Sequence, residues 1–203
     1  MLPSKNLPHR LPCLTVAVGK PVSHFAWHQK GEYFATVTKQ SSANSVLIHR
    51  LSQAKSQSPF TKSKGLVQRI AFHPFKPIFF VASQRVLRAY DLSKQKLVKK
   101  MSCPARWISS LAVHPSGDHL LVGSYDQRVC WYDLDGGSRP YQTLQYHKKA
   151  IRQVAYHNRH PLFVTSSDDG ALHVFHATVY TDLLTNPLIV PVKIIKVESV
   201  LVC

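Results

Sequence analysis

Apolar and polar residues alternate along the chain in short runs, separated by clusters of Pro, Gly, Ser, Asp and Lys. In VSHFAWH, VQRIAFH, ISSLAVH and IRQVAYH, beginning at Val22, Val67, Ile108 and Ile151, an apolar or aromatic side chain returns at every second position toward the end of the run. Period two is the side-chain period of a β-strand, whereas a helix needs apolar residues three and four apart. After each run comes a Pro/Gly/Lys turn, a second apolar run, a short polar turn and a third run: Ser45 to Leu51, Arg85 to Asp91, Arg128 to Leu134 and Ala171 to His176. A weaker fourth run follows, as in Lys96 to Met101 and Tyr141 to Tyr146. Turn punctuation at this spacing predicts antiparallel sheet and no helix longer than a turn.

These units superimpose. Aligned on the His that closes each first run (His28, His73, His114, His157), they recur after 45, 41 and 43 residues. A four-strand unit repeated at that period is the signature of a propeller blade. The fold class read from the pattern is therefore all-β, an arc of about four blades. In the turn between second and third strands, Ser-x-Asp occurs twice, as Ser124-Tyr125-Asp126 and Ser167-Asp168-Asp169. An aromatic residue, Tyr132 or Phe175, stands six positions after the last Asp of each. This resembles the WD-repeat, in which a turn Asp hydrogen-bonds a His from the preceding loop. His147, four residues before Ile151, is spaced to serve Asp169, with Asp168 turned to solvent. The structural turn network expected is thus Asp126, Tyr132, His147 and Asp169. The usual Gly-His and Trp-Asp pairs appear only in altered form, as Tyr146-His147, Tyr90-Asp91 and Tyr132-Asp133.

Composition supports a packed domain rather than a tail. The 203 residues are 44% hydrophobic and 18% charged, which is globular, and they lack the repeated bias of collagen, coiled coil or low-complexity chains. Charge changes the picture more. The chain carries 26 Lys and Arg against 10 acids, and among residues 1–100 the only acids are Glu32 and Asp91. Such an excess attracts phosphate backbones and makes binding salt-dependent. The basic residues gather as Lys55, Lys62 and Lys64, as Lys99 and Lys100, and as Lys148, Lys149 and Arg152. Placed at blade junctions, they would form one positive arc on a propeller rim, which makes Lys62, Lys64, Lys99, Lys100, Lys148, Lys149 and Arg152 the candidate RNA-binding residues.

Other chemistry finds no support in the pattern. The four cysteines (Cys13, Cys103, Cys130, Cys203) show no C-x-x-C spacing, so neither a zinc site nor a disulfide framework is read from them, and reduced thiols of an intracellular protein are expected. The four equivalent His residues belong to different blades and cannot converge to the roughly 2 Å of zinc coordination, so a strand-end turn role is expected. Gly19-Lys20 runs into Pro21 and makes no phosphate loop, no G-x-S-x-G is present, and Asp133-Leu-Asp135 lacks the closing Glu of a calcium loop. No catalytic residue, cofactor or metal is expected. Ser58-Pro59 reads as a turn dipeptide. The apolar stretch Leu11 to Val18 is interrupted by Pro12 and followed by no small-x-small site, and its alternation from Cys13 to Val18 is read as strand rather than signal peptide. Nothing approaches the ~18 apolar residues of a membrane span.

The wording of the repeats goes further than their period. SQSPF, FHP, SLAVHP, GSYD and NPLIVPVK, in that order between about Lys20 and Lys196, resemble the carboxy-terminal propeller of the block-of-proliferation (BOP1-type) ribosome-biogenesis family. That resemblance implies a non-enzymatic scaffold of the nucleus, nucleolus and nucleoplasm, acting in large-subunit pre-rRNA processing. It also implies as partners a Pescadillo-type protein, a second WD-repeat protein and pre-rRNA, with no membrane. The alternatives are a generic WD-repeat adaptor for protein complexes without an RNA role, or a truncated isoform with impaired scaffold function. Residues 1–19 are expected to form a leading segment with the last strand of a preceding blade, 20–196 four blades, and 197–203 a divergent tail. Read against the family, the chain looks truncated at both ends, and an open arc exposes two sheet flanks.

Overall fold

The structure, a computed structural model, describes residues 15–38, 45–59, 65–178 and 189–197. These build four antiparallel sheets of four strands each, with strands adjacent in sequence order. Blade 1 holds β1 (Val22–Trp27), β2 (Tyr33–Thr38), β3 (Val46–Arg50) and β4 (Lys55–Gln57). Blade 2 holds β5 (Val67–Phe72), β6 (Ile78–Ser83), β7 (Val86–Asp91) and β8 (Lys96–Ser102). Blade 3 holds β9 (Ile108–Val113), β10 (His119–Ser124), β11 (Val129–Asp133) and β12 (Gln142–Leu144). Blade 4 holds β13 (Ile151–Tyr156), β14 (Leu162–Ser167), β15 (Ala171–His176) and β16 (Pro191–Lys196). The first strands β1, β5, β9 and β13 neighbour one another in turn, as strands lining a propeller channel do. The fold is an arc of four propeller blades, as the repeat period predicts.

Each pair of blades encloses its own core. Ala35, Val37 and Val46 of blade 1 meet Val67, Ile70, Phe79 and Val81 of blade 2. Phe80, Ala82 and Leu87 of blade 2 meet Ile108, Leu120, Val122 and Tyr132 of blade 3, and Leu121 and Trp131 of blade 3 meet Phe163 and Phe175 of blade 4. Phe79 and Val81 therefore point one way from β6 while Phe80 and Ala82 point the other. Middle strands buried on both faces carry near-continuous apolar runs such as IFFVA, because the alternation marks a half-buried strand only.

In every blade the pairing of first and second strands slips once, at Val22/His24, Val67/Arg69, Gly123/Ser124 and Ile151/Gln153. Such a bulge adds twist where the strands crowd the channel. The turn that follows each first strand is held by the His the repeats share. Nδ1 accepts the N–H of Lys30 in His28, of Phe75 and Lys76 in His73, of Ser116 in His114, and of Arg159 and His160 in His157. Three of these rings also reach the next blade. His28 meets Phe72 edge-on, His114 meets Tyr156 edge-on, and His73 Nε2 donates to Gly117 O at 3.0 Å.

One expectation fails in the leading segment. Residues 1–14 lie outside the described residues, and Thr15–Lys20 form no strand. Thr15, Val16 and Ala17 lie beside Phe34 and His49 of blade 1. They are exposed and pair with no described strand, so the alternating pattern finds no ladder to join.

Blade 1 turns Phe25 and Trp27 outward, 62% and 56% exposed, and blade 4 does the same with Val192 and Ile195. Among the described residues no helix is long and apolar enough to cross a membrane.

On β1, His24 has its Nδ1 buried with no hydrogen-bond partner among the described residues. Burial, with the Arg69 charge second, brings its pKa down to about 4. The unfolded chain therefore takes up this proton first, near pH 6.5. The His24 contribution to stability is fully present above about pH 6.5 and is lost as pH falls toward 4. His28, His73 and His114, lowered chiefly by burial, act in the same sense. We expect urea midpoints to fall between pH 6.5 and 4, less steeply in His24→Gln; identical slopes would remove His24 from the account.

Candidate nucleic-acid interface and turn network

In an up-and-down sheet the connections after the second and fourth strands emerge at the same end. The turns at 84–85, 125–128 and 168–170 therefore share one rim with the blade junctions at 103–107 and 145–150. The turn network sits on this rim. In blade 4, His147 Nδ1 donates to Asp169 Oδ2 at 3.0 Å, and Thr165 Oγ1 lies 2.7 Å from His147 Nε2, where it donates its proton. Asp169 also accepts Lys148 N–H and Ala171 N–H. Burial raises the Asp169 pKa, but these three donors outweigh it and hold the carboxyl below the ordinary value. His173 stacks on His147 at 3.9 Å, and Ser167 Oγ donates to Lys149 O.

Blade 3 is tied differently. Asp126 accepts Arg106 N–H at 3.0 Å and the Ser124 hydroxyl, and no imidazole enters because Pro104 holds the position equivalent to His147. Tyr132 stands apart from Asp126: its hydroxyl donates to Ser102 O at 2.9 Å, bridging blades 2 and 3. Asp168 does not face solvent unpartnered. Arg152 Nε and Nη2 donate to its two oxygens at 2.7 and 2.6 Å, and the side chain is 19% exposed. Strand alternation puts Arg152 on the face that leans back over the turn, a geometry the Ser-x-Asp spacing does not carry. Blade 1 has a network with no motif to announce it, in which His49 links Thr36 Oγ1 and Ser56 Oγ.

The basic residues divide. Lys62 and Lys64 lie outside the described residues. Lys148 and Lys149 are exposed at the junction before β13. Arg152 is on the same rim, but its guanidinium is committed to Asp168 and lies 5.3 Å over the Tyr125 ring. Lys99 and Lys100 are not at a junction: both lie within β8, the outermost strand of blade 2. Lys99 Nζ donates to Leu134 O and Gly136 O of blade 3, so it serves as a strut between blades. Lys100 and Lys55 are exposed on outer strands.

The same rim holds residues that the sequence reading missed. Arg85 and Arg106 are exposed there, Arg128 is half-buried, and three aromatics stand out of the surface, Trp107 at 52%, Tyr125 at 40% and Tyr146 at 37%. Trp107 has φ +60° and Gln127 φ +71°, left-handed conformations that cost a bulky residue on the order of 1–2 kcal/mol. Tyr125 N–H donates to Trp107 O and Ile108 N–H to Gln84 O, which hold this shape. Positive side chains interleaved with exposed aromatic faces suit a single-stranded nucleic acid, which offers phosphates to the first and bases to the second. Among the described residues no three His, Cys, Asp or Glu side chains are grouped to hold a metal ion.

The WD domain, G-beta repeat pattern matches residues 95–133 and 138–176. Each match begins about the fourth strand of one blade and ends with the third strand of the next, so the sequence repeat straddles two blades. The chain is 54% identical over 181 residues to "Ribosome biogenesis protein ERB1" of Candida glabrata, which covers 89% of this chain. It is 58% identical over 175 residues (86%) to the protein of that name from Debaryomyces hansenii, and 53% identical over 186 residues (92%) to erb1 of Schizosaccharomyces pombe. Over this segment the chain belongs to the BOP1-type, or ERB1, family. It spans 22% of the first two ERB1 relatives and 25% of the third. The ERB1 likeness runs through all four blades, so the altered Trp-Asp and Gly-His pairs are variations inside a WD-repeat frame.

Proposed function

We propose that this chain is part of a non-enzymatic scaffold of large ribosomal subunit biogenesis and that it contacts pre-rRNA through the rim described above. The observation that carries the reading is the grouping of Arg85, Arg106, Arg128, Lys148 and Lys149 with the exposed rings of Trp107 and Tyr125 on one rim. The names of the ERB1 relatives support the process, and the nucleus and nucleolus are where it takes place. A Pescadillo-type protein and a second WD-repeat protein are the partners the family resemblance implies.

A WD-repeat adaptor without an RNA role needs no such rim, so salt dependence separates the readings. The tagged chain is expected to co-sediment with large-subunit precursors. In a binding titration with single-stranded pre-rRNA fragments, Arg106→Ala with Lys148→Ala and Lys149→Ala is expected to flatten log affinity against log salt by about 2 units, at roughly 0.7 per phosphate contact. An unchanged slope, with no co-sedimentation, would favour the adaptor.

A further inference from the structure

Two thiols meet at the junction between blades 2 and 3. Cys103 Sγ and Cys130 Sγ are 3.9 Å apart although 27 positions separate them in the chain. Cys103 follows β8 and is half-buried; Cys130 lies within β11 and is fully buried. We propose that Cys103 and Cys130 form an oxidant-modifiable dithiol site, at which a hydroperoxide converts the pair into a disulfide stapling blade 2 to blade 3.

The surroundings divide the labour between the sulfurs. Cys103 Sγ is approached by the Cys130 thiol and the Ala105 N–H, while the proton of the nearby Tyr132 hydroxyl goes to Ser102 O. Led by the Cys130 bond, these donors outweigh burial and bring the Cys103 pKa down to about 7, which makes Cys103 rather than Cys130 the sulfur favoured as thiolate. The same bond works the other way on Cys130, which burial further holds protonated. Access is divided in the same sense. Cys103 lines an open cleft of about 350 Å³ with Ser102, Pro104, Arg139 and Pro140, whereas Cys130 has no exposed surface. A disulfide needs sulfurs about 2.05 Å apart. Cys103 belongs to no strand, so its side chain turns toward Cys130 without breaking a ladder, and Cys130 keeps its pairing with Val122 and Thr143.

The chemistry balances with hydrogen peroxide as the only added reactant. Cys103 thiolate attacks one peroxide oxygen and the O–O bond breaks. The departing hydroxide combines with the proton that Cys103 had released, giving water and a Cys103 sulfenic acid. Cys130 sulfur then attacks Cys103 Sγ, the S–O bond breaks, and the leaving hydroxide takes the Cys130 proton as a second water. The two thiols lose two electrons and two protons, and the peroxide is reduced to two waters.

The test uses the full chain carrying Cys13→Ser and Cys203→Ser, treated with equimolar hydrogen peroxide, alkylated and digested for mass spectrometry. The expected product is a Cys103–Cys130 linked peptide pair that dithiothreitol releases. In the further variant Cys130→Ser, Cys103 is expected to stop at a sulfenic acid trapped by dimedone. In Cys103→Ser, Cys130 is expected to react at least tenfold more slowly. The rate of Cys103 alkylation by iodoacetamide in the untreated chain is expected to titrate with a midpoint near pH 7. Accumulation of Cys103 sulfinic acid with Cys130 still alkylatable, or an alkylation midpoint above about pH 8, would overturn the proposal. Salt-dependent RNA binding is a separate measurement, so failure here leaves the rim unaffected.

Discussion

Asp169→Ala is expected to lower the urea midpoint by about 1 M or more, and Asp168→Ala by less than about half that. Asp169 accepts His147 Nδ1–H at 3.0 Å, Lys148 N–H at 2.9 Å and Ala171 N–H at 3.0 Å. The His147 side chain is 1% exposed, so without the carboxylate its Nδ1–H is stranded where water does not reach it. Stranding a buried donor and losing charge-assisted bonds costs about 2–3 kcal/mol. Phe175 cannot compensate, since a phenyl ring has no N–H to donate; it only packs on Phe163 and Tyr146. Asp168 also loses a bidentate partner, but Arg152 is 45% exposed and water takes over its guanidinium, which limits the loss to about 1 kcal/mol. With a urea slope of about 2 kcal/mol per molar, the two losses separate clearly. Equal midpoints, or a larger loss for Asp168→Ala, would mean that the His147 bond adds nothing to the blade.

Gly117→Ala is expected to cost about 3 kcal/mol, through two causes that a double mutant separates. Gly117 sits at φ +84°, where a side chain costs on the order of 1–2 kcal/mol. A Cβ there would also lie 2.4 Å from His73 Cε1 and 2.7 Å from Nε2. The ring must leave, and with it go the bond to Gly117 O and the two turn bonds from Phe75 N–H and Lys76 N–H. His73→Ala alone forfeits those bonds and a buried ring, about 2 kcal/mol. In the double variant the Cβ occupies space the ring has vacated, so only the backbone strain is added. The combined loss is expected to fall short of the sum by about 1–2 kcal/mol. Strict additivity in urea midpoints would show that the ring already moves freely and that the inter-blade bond contributes nothing.

The repeat was legible because everything within a blade is local. A first strand, the His that caps its turn and a second apolar run fall within some twenty positions, and bonds such as Phe75 N–H to His73 Nδ1 span two residues. The third strands from Val86, Val129 and Ala171 follow the polar turns for the same reason. The His147–Asp169 pair, 22 residues apart, was within reach only because a repeated motif ties those two positions to one turn.

Contacts one repeat apart were not legible. His73 to Gly117 and Val154 to Ser110 each span 44 residues, about one blade, and nothing in either local pattern names the partner. Lys99 illustrates the consequence. Beside Lys100 it reads as a phosphate ligand, yet packing of blade 3 against blade 2 brings two carbonyl oxygens to its Nζ. Arg152 is likewise turned from ligand to ion-pair partner, and the Cys103–Cys130 pair exists only where β11 lies beneath the junction that follows β8. Alternation, turn residues and period thus specified strands, their order and blade number, because side-chain period and turn chemistry act between near neighbours. Which charges remain free, which thiols meet and which aromatics stand out of the rim were decided by sheets packing face to face, since burial belongs to surfaces that distant segments share.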